Sequence, residues 1–247
     1  MKHFVVMKQL GRCGNQFYQI AAGLAFAKKY ELDFYVSGSD GQWYDYFPQF
    51  VKRDRGGSIF EERRDENGNP SYAPFPDMKN AFFIGYWQSF KYFDDYRKDI
   101  LEAFAIPYEP CDAVSIHVRR GDYLEHSDSF PPLPLEYYQN AVQVMNGLGH
   151  FKFKVFSDDI EYCKTIFTVE NFDEKNTYEF SEGKTELEDL SLMSSCQHNI
   201  LANSSFSFVA SWLNQNERKM VLCPPFEKMF KGCNKDMIPA DYAQVSF

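Results

Sequence analysis

Two consecutive arginines follow a hydrophobic, strand-like run and precede a Gly-Asp turn in the segment 115–123. In an open parallel sheet, ligands bind at the carboxyl ends of strands, where Arg119 and Arg120 would lie. A guanidinium group donates paired hydrogen bonds and stays charged at any working pH, so it suits a diphosphate. Because side chains alternate along a strand, one of the two should face the ligand. The alternative is a structural role, with the arginines bonded to Asp122 and Asp158.

A second polar segment, Gly11-Arg12-Cys13-Gly14-Asn15-Gln16, also follows a strand-like run and opens a helical pattern. Such a glycine turn lets the backbone approach a ligand closely, with helix N–H groups aimed at it. Asn15 and Gln16 add two amides, which can donate to and accept from hydroxyl groups. The spacing is not the G-x-G-x-x-G fingerprint, and a plain strand-to-helix connection is the alternative explanation.

Carboxylates follow a third strand-like run, in Phe156-Ser157-Asp158-Asp159. They could bind a purine edge or a ribose, or Ser157 or Asp158 could cap the helix that begins at Ile160. Paired aspartates can also bind a metal ion, but no further His or Asp joins them in the sequence. We therefore expect no metal site here.

A hydroxyl-rich turn follows a fourth strand-like run, in the segment 198–208. Ser205 and Ser207, with the first N–H groups of the helix they open, could bind an anion beside the arginines. Asn203 or Ser204 acting as an ordinary N-cap is the competing explanation. The sequence contains no G-x-S-x-G or Walker A motif and no cysteine with a local acid–base partner, so nothing indicates a covalent nucleophile.

Strand-like and helix-like segments alternate along most of the chain. The predicted strands are Phe4–Lys8, Asp33–Val36, Ala81–Gly85, Ala113–Val118, Phe151–Phe156, Asn176–Phe180, His198–Ala202 and Met220–Leu222. The predicted helices are Asn15–Tyr30, Lys91–Phe104, Leu135–Met145, Ile160–Phe167, Glu186–Ser194 and Ser205–Leu213. This alternation predicts an α/β fold with doubly wound parallel sheets. Prolines at 107 and 110 mark a boundary between two domains, 1–107 and 108–247. The charged region 37–76 is interpreted as surface loops around short pieces of structure.

The composition limits the partners of the chain. A net charge of −9 argues against nucleic acid, because phosphate-backbone binding needs concentrated Lys and Arg. An aromatic content of 18% predicts a Phe-rich core, from which some rings could line a carbohydrate groove. The six cysteines form no C-x-x-C pair and should be reduced, although Cys223 and Cys233 are near enough in sequence to bridge. No run approaches the roughly 18–20 apolar residues of a membrane span, and no signal peptide is visible, so we expect a cytoplasmic protein.

Four blocks of the sequence resemble the family 11 glycosyltransferases, the α-1,2-fucosyltransferases. They are 11–16, 85–93, 115–123 and 192–212, in the order in which the family carries them. The H-x-R-R-x-D block is shared with α-1,6- and protein O-fucosyltransferases, so it points to a GDP-fucose donor more firmly than to a linkage. The resemblance implies a GT-B-like fold, in which two Rossmann-type α/β domains face each other across a cleft. Residues 1–107 would form the acceptor side and residues 108–247 would bind GDP-fucose.

The reaction implied by this resemblance is inverting transfer of L-fucose from GDP-fucose to a sugar hydroxyl of an oligosaccharide or glycoconjugate. The expected linkage is α-1,2 to galactose, with no metal and no other cofactor. Fucosyl transfer in another linkage, of the α-1,6 or O-fucosyl type, is one alternative. A non-catalytic protein that binds a GDP-sugar or a glycan is the other.

The resemblance also implies roles for individual residues. Arg119 would bind the β-phosphate, Asn15 would lie near the reacting centre, and Asp158 and Asp189 would read guanine or ribose. A base would come from the loop after the arginines, with Glu125 or Asp128 expected, although some relatives work without a strong base. The residues expected to bind the donor are Gly14, His117, Arg119, Arg120, Asp122, Ser157, Asp158, Asp189, Ser205, Phe206 and Ser207.

Overall fold

The computed structural model describes residues 3–38, 46–53, 56–234 and 236–247. The chain forms two compact units, Met1–Ile106 with Gly232–Pro239, and Pro107–Lys231 with Ala240–Phe247. The sequence-based division gave every residue after 107 to the second unit, whereas the segment 232–239 belongs to the first. One reason is that Asp236 forms an ion pair with Lys91 and accepts a hydrogen bond from the Tyr72 N–H at 3.3 Å.

The first unit contains a four-stranded, fully parallel sheet. Its strands are β1 (Phe4–Lys8), β2 (Asp33–Ser37), β3 (Ser58–Glu61) and β4 (Ala81–Ile84), in the order β2-β1-β4-β3. Its helices are α1 (Cys13–Lys29) and α2 (Arg97–Phe104), preceded by short 3₁₀ turns at Phe90–Tyr92 and Asp94–Tyr96. The apolar face of α1 is buried, and Phe17 stacks on Phe104 of α2 with ring centroids 4.2 Å apart.

Two features of the first unit differ from the sequence prediction. Region 37–76 was interpreted as loops around short pieces of structure, and no strand was assigned there, whereas β3 lies within it and pairs in parallel with β4. Ile59 of β3 is largely exposed, so this edge strand lacks the buried apolar pattern that would reveal it. The predicted helix 91–104 begins only at Arg97, because the preceding residues form two short 3₁₀ turns, the first of which Ser89 caps by accepting from the Lys91 N–H.

The second unit contains a six-stranded parallel sheet in the order β10-β9-β8-β5-β6-β7. Its strands are β5 (Cys111–Val118), β6 (Lys152–Ser157), β7 (Thr177–Phe180), β8 (Cys196–Ile200), β9 (Val221–Cys223) and β10 (Ala243–Gln244). Its helices are α3 (Gly121–Glu125), α4 (Leu135–Asn146), α5 (Ile160–Ile166), α6 (Glu186–Ser194) and α7 (Ser205–Leu213). Sequence analysis missed α3 and β10, both too short to show a periodic pattern.

Strand β5 lies at the centre of this sheet and is buried on both faces. Ile116 and Val118 pack into a core with Tyr138 and the rest of α4 and α5. The opposite face carries Ser115, whose Oγ accepts a hydrogen bond from Asn199 Nδ2 at 2.7 Å. Helices therefore cover both faces, which explains why β5 is a continuous buried run rather than an alternating one.

The strand order creates a switch point between β5 and β8. After β5 the chain continues to β6 on one side of the sheet, and after β8 it continues to β9 on the other side. The two connections diverge, which leaves a crevice at the carboxyl ends of these strands, where ligands bind in open α/β sheets. The loops that begin at residues 119 and 201 lie at this edge. The parallel α/β class predicted from the sequence is confirmed.

The described residues contain no helix that combines the length and the apolar character needed to cross a bilayer. All six cysteines are free, including Cys223 and Cys233.

Candidate functional site

Arg119 follows the last residue of β5 and is held by two carboxylates. Its Nη1 forms an ion pair with Asp158 Oδ2 at 2.7 Å, and its Nη2 donates a hydrogen bond to Asp122 Oδ1. Only 13% of the Arg119 side chain is exposed, whereas Asp122 is 48% exposed. A guanidinium group has five N–H donors, and among the described residues only Asp122 accepts a hydrogen bond from that of Arg119. The structure therefore fixes the orientation of this cation while leaving donors available to an anion.

Asp158 follows β6, the strand next to β5, and connects the two strand ends. In addition to its ion pair with Arg119, Asp158 accepts a hydrogen bond from the Arg120 N–H at 2.9 Å. This contact needs a glycine at 121, because a Cβ atom there would lie 2.5 Å from Asp158 Oδ2. The structural alternative considered for Arg119, an ion pair with Asp122 and Asp158, is thus present. It positions Arg119 without using all of its donors.

Arg120 has different partners from those of its neighbour. Its Nε donates to Asp159 Oδ2 at 3.0 Å, and its guanidinium carbon lies 3.4 Å from the centroid of the Tyr162 ring. Asp159 also caps α5 by accepting from the Tyr162 N–H, and its own N–H donates to Ser157 Oγ. The sequence analysis proposed Ser157 or Asp158 as this cap, whereas Asp159 takes that position and leaves Asp158 to Arg119.

The loops after β5 and β8 are tied together by Tyr123 of α3. Its hydroxyl donates to the Asn203 carbonyl at 3.1 Å, and burial raises the pKa of this phenol to about 12. Asn203 is itself buried, and its Nδ2 donates to the Pro131 carbonyl at 2.7 Å. Sequence analysis gave Tyr123 no role, because nothing in the local sequence shows that its partner lies on the other loop.

Two buried polar atoms near this edge have no hydrogen-bond partner among the described residues. They are His117 Nδ1, at the end of β5, and Asn203 Oδ1, after β8. Burial, with a contribution from the Arg119 charge, lowers the pKa of His117 to about 3, so the imidazole is neutral at physiological pH. Buried polar groups are normally paired, so two such atoms at one sheet edge are consistent with a ligand that supplies the missing partners.

The start of α7 has some of the properties expected of an anion site. Phe206 lies against His117, with ring centroids 5.5 Å apart, and Ser205 is partly exposed. Ser204 is the N-cap residue but makes no capping bond with its side chain. Ser207 is fully buried, and its hydroxyl contacts the carbonyls of Ala202 and Ser204 at 3.1 Å. Its hydroxyl proton is therefore used within its own turn.

Asp189 lies on the first turn of α6, at the carboxyl end of the neighbouring strand β7. Its Oδ1 accepts a hydrogen bond from Ser181 Oγ at 2.6 Å, and burial raises the pKa of this carboxyl above its ordinary value. Glu125, the last residue of α3, and Asp128 are both exposed. The structure gives no contact that distinguishes either of them as a base.

The glycine turn of the first unit places Asn15 in the first turn of α1. Asn15 Oδ1 accepts a hydrogen bond from Gln88 Nε2 at 2.7 Å. Gly11 has a φ of +69°, and a Cβ atom there would lie 2.3 Å from Asn15 Nδ2. Gly14 is buried at the start of the helix. Gln88 lies in the block 85–93 named in the sequence analysis, but its contact with Asn15 was not predicted.

The described part of the chain contains no cluster of three or more His, Cys, Asp or Glu side chains that could hold a metal ion. The two aspartates after β6 are bonded to arginines instead.

The sequence profile of Glycosyl transferase family 11 matches residues 67–231, more than half of the chain. The chain belongs to this family. The match includes the loops after β5, β6 and β8, and therefore every described contact of Arg119. Asn15 and its glycine turn lie outside the matched range, although their partner Gln88 lies inside it.

Two curated relatives of this family 11 chain come from Escherichia coli. Alpha-1,2-colitosyltransferase is 33% identical over 158 residues, which cover 58% of this chain and 54% of that protein. The O-antigen biosynthesis glycosyltransferase WbnK is 31% identical over 188 residues, which cover 66% of this chain and 60% of that protein. The chain thus spans little more than half the length of each relative.

Solved fucosyltransferases share the fold of this family 11 chain at low sequence identity. NodZ from Bradyrhizobium superposes with a TM-score of 0.55 at 12% identity, covering 85% of this chain and 93% of NodZ. A variant of Arabidopsis thaliana FUT1 superposes with a TM-score of 0.55 at 11% identity, covering 93% of this chain and 72% of that one. The fold is GT-B-like, as predicted.

Proposed function

We propose that this chain transfers L-fucose from GDP-fucose to a hydroxyl of a glycan, in α-1,2 linkage to galactose and with inversion at the anomeric carbon. The observation that carries the proposal is Arg119, a nearly buried cation at the switch point of the second sheet, most of whose N–H donors make no hydrogen bond with a described residue. The solved NodZ structures with GDP and with GDP-fucose, which share this fold, support a guanosine diphosphate donor.

The reaction makes one bond and breaks one bond at fucose C1. The acceptor oxygen attacks C1 from the face opposite the nucleotide, and the bond from C1 to the β-phosphate oxygen breaks. The electron pair of that bond leaves with GDP, whose negative charge grows, and the acceptor loses its proton. Arg119 would donate to the β-phosphate as this charge develops, and the carboxylates that hold it reduce the reorganisation needed. Such preorganised stabilisation contributes about 3–4 kcal/mol per donor in other enzymes.

The remaining residues receive subordinate roles in this proposal. His117 is neutral, so it would offer a hydrogen bond rather than a charge, and Ser205 at the start of α7 would join it. Asp158 is engaged with Arg119 and the Arg120 N–H, which favours a positioning role over contact with guanine. Asp189 is better placed to bind the nucleoside, because among the described residues only Ser181 donates a side-chain hydrogen bond to its carboxylate. Asn15 would donate to a sugar oxygen, and Glu125 or Asp128 would accept the acceptor proton.

The reaction is proposed to need no metal ion. Metal-dependent transferases use a divalent cation to neutralise the leaving diphosphate, a task for which this site offers guanidinium groups. The carboxylates nearest to them, Asp158 and Asp159, are already paired with Arg119 and Arg120.

Transfer of colitose is the second candidate, favoured by the 33% identity to alpha-1,2-colitosyltransferase. Colitose is L-fucose without its 3-hydroxyl, so both donors would present the same diphosphate to Arg119. The two sugars differ in one polar group, and a site built to bond that hydroxyl discriminates strongly against its absence. Transfer kinetics with GDP-fucose and GDP-colitose would therefore distinguish the two donors. Binding at the diphosphate site would not, because both donors carry the same diphosphate.

A transfer assay tests the proposal. The protein is incubated in separate reactions with GDP-fucose, GDP-colitose and GDP-mannose, each with galactose-terminated acceptors, and products are identified by mass spectrometry and their linkage by NMR. We expect an α-1,2-fucosylated galactoside. A preference for GDP-colitose would select the second candidate. Binding of a GDP-sugar without a product on any acceptor would refute the enzymatic proposal and favour a binding protein.

A further inference from the structure

The block 85–93 resembles family 11 glycosyltransferases, but none of its residues takes part in the proposed reaction. It begins directly after β4, and β4 pairs in parallel with β1. The turns that follow these two strands therefore lie at the same edge of the first sheet, where ligands bind in open parallel sheets. Gln88 comes from one turn and Asn15 from the other, and their side chains meet at 2.7 Å.

Gln88 is held in place by an unusual backbone turn. Gly85 has a φ of +156°, and Trp87 has a φ of +54°, in the left-handed region that a bulky residue rarely adopts. The N–H group of Tyr86 donates to Glu62 Oε2 at 2.8 Å. Gly85 is needed beside this carboxylate, because a Cβ atom there would lie 2.4 Å from Glu62 Cβ. Strained, over-determined turns of this kind are typical of functional positions.

Packing fixes the same turn from its other side. The Trp87 side chain is buried among aromatic rings, stacked on Phe60 and tilted against Phe75 and Phe83. Gln88 itself is only 5% exposed. A buried amide in a rigid turn presents its donor in one direction, which here is toward Asn15 Oδ1.

We propose that Gln88 is the positioning residue for Asn15, and that it fixes which end of the Asn15 amide faces the substrate. The inference rests on the proposed function, in which Asn15 donates to a sugar oxygen. An asparagine amide can rotate by half a turn and exchange its oxygen for its NH₂ group at little steric cost. The Gln88 N–H holds the oxygen of Asn15, and the NH₂ group is therefore kept as the donor.

Two variants separate this role from simple packing. Gln88→Met removes the donor with little change in volume, and Gln88→Glu replaces it with a carboxylate that accepts when ionised and donates when protonated. Both should lower kcat by about 10- to 100-fold while the Kd for GDP stays within about twofold, because Asn15 and not the nucleotide site is disturbed. Gln139→Met is the matched control, since it removes the hydrogen bond that the partly buried Gln139 amide donates to the Asn171 carbonyl in the second unit, and it should leave both values unchanged.

The pH profile of Gln88→Glu gives a readout that packing alone would not change. As the pH falls from about 8 to about 5, kcat of this variant relative to the wild type should rise, because the protonated Glu again donates to Asn15. A flat ratio, or a Gln88→Met variant with wild-type kcat, would overturn the inference.

The contact can also be tested without turnover. The Asn15 side-chain NH₂ resonances, assigned by their loss in Asn15→Asp, should shift in Gln88→Met and stay in place in Gln139→Met. Unmoved resonances in Gln88→Met would overturn the contact itself. An inactive wild type with shifted resonances would instead overturn the proposed function, and with it the catalytic consequence of the contact.

Discussion

Arg119 and Asp158 lie at the ends of two neighbouring parallel strands, and Arg119 Nη1 forms an ion pair with Asp158 Oδ2 at 2.7 Å. The same carboxylate accepts from the Arg120 N–H at 2.9 Å. One acidic side chain thus fixes both the backbone and the guanidinium group at the end of β5. In the proposed reaction, this arrangement means that Arg119 is in place before the diphosphate arrives.

Gly121→Ala should disturb this arrangement specifically. The added methyl group would lie 2.5 Å from Asp158 Oδ2, so the carboxylate would have to leave Arg119. The Kd for GDP should rise by about tenfold, as expected for the loss of a well-oriented charged hydrogen bond. Thermal stability should change little, because alanine is the better helix former by about 1 kcal/mol and offsets part of the clash.

Gly149→Ala is the control for this substitution. Its added methyl group would lie 3.5 Å from the Phe151 ring, an ordinary contact distance. Calorimetric titration of both variants with GDP checks the prediction. Equal affinities in Gly121→Ala and the wild type would show that the contact between Asp158 and Arg119 does not position the donor site.

His117 should make the protein sensitive to acid. The pKa of His117 is about 3 in the folded chain, below the ordinary value of about 6.5. Between these values the unfolded chain binds a proton that the folded chain does not, so stability falls as the pH is lowered through this window. Each unit of pH in the window costs up to about 1.4 kcal/mol.

Urea denaturation at pH 7 and at about pH 5 measures this effect. The wild type should lose more stability between the two pH values than His117→Gln, which cannot titrate. His150→Gln, at an exposed position, should behave like the wild type. An equal loss in the wild type and in His117→Gln would contradict the buried, neutral state of His117.

The main features of this region follow from sequence because they are local. The buried run 113–118 and the two arginines after it are contiguous, so the strand and its polar end could be predicted. The hydrogen-bond and ion-pair partners of the two aspartates could not be predicted. Asp159 rather than Asp158 caps α5, and this depends on where Arg119 and Arg120 lie in space.

Contacts between distant segments account for most of what the sequence did not reveal. Gln88 and Asn15 are 73 positions apart, and Tyr123 and its acceptor Asn203 are 80 positions apart. The hydrophobic pattern of the sequence does not reveal such pairs, because they depend on the order of the strands in the sheets. Edge strand β3 was missed for a different reason, since its exposed residues carry no buried pattern.

Cys111 should be the most reactive thiol among those of the second unit. Its Sγ lies 4.0 Å from Cys196 Sγ, and this neighbour, with Lys154, lowers the pKa of Cys111 below its ordinary value. Burial instead raises the pKa of Cys163 to about 11 and that of Cys223 to about 12. At neutral pH, iodoacetamide should therefore alkylate Cys111 first, because the thiolate is the nucleophile.

Peptide mass spectrometry of the briefly alkylated, folded protein measures this order. The rate at Cys111 should fall as the pH is lowered, because the reactive thiolate is converted to the thiol. Alkylation of Cys223 at the same rate as Cys111 would contradict the predicted difference in ionisation.

Removal of divalent metal ions should leave transfer unchanged. In the proposed mechanism, Arg119 stabilises the leaving diphosphate, and Asp158 and Asp159 are paired with arginines. The initial rate is measured after dialysis against EDTA and again after addition of Mn²⁺ or Mg²⁺. A rate lost in EDTA and restored by metal would contradict the proposal of a metal-independent reaction.

Calorimetric titration with GDP, in EDTA, tests the central claim most directly. The wild type should bind GDP and give no signal with UDP. Arg119→Ala should weaken GDP binding by about 100-fold, the effect of removing a charged partner from a nearly buried site. Arg218→Ala, at an exposed position far along the chain, should bind GDP like the wild type. A wild type that gives no signal with GDP, or an Arg119→Ala variant with unchanged affinity, would show that the arginine at the end of β5 is purely structural.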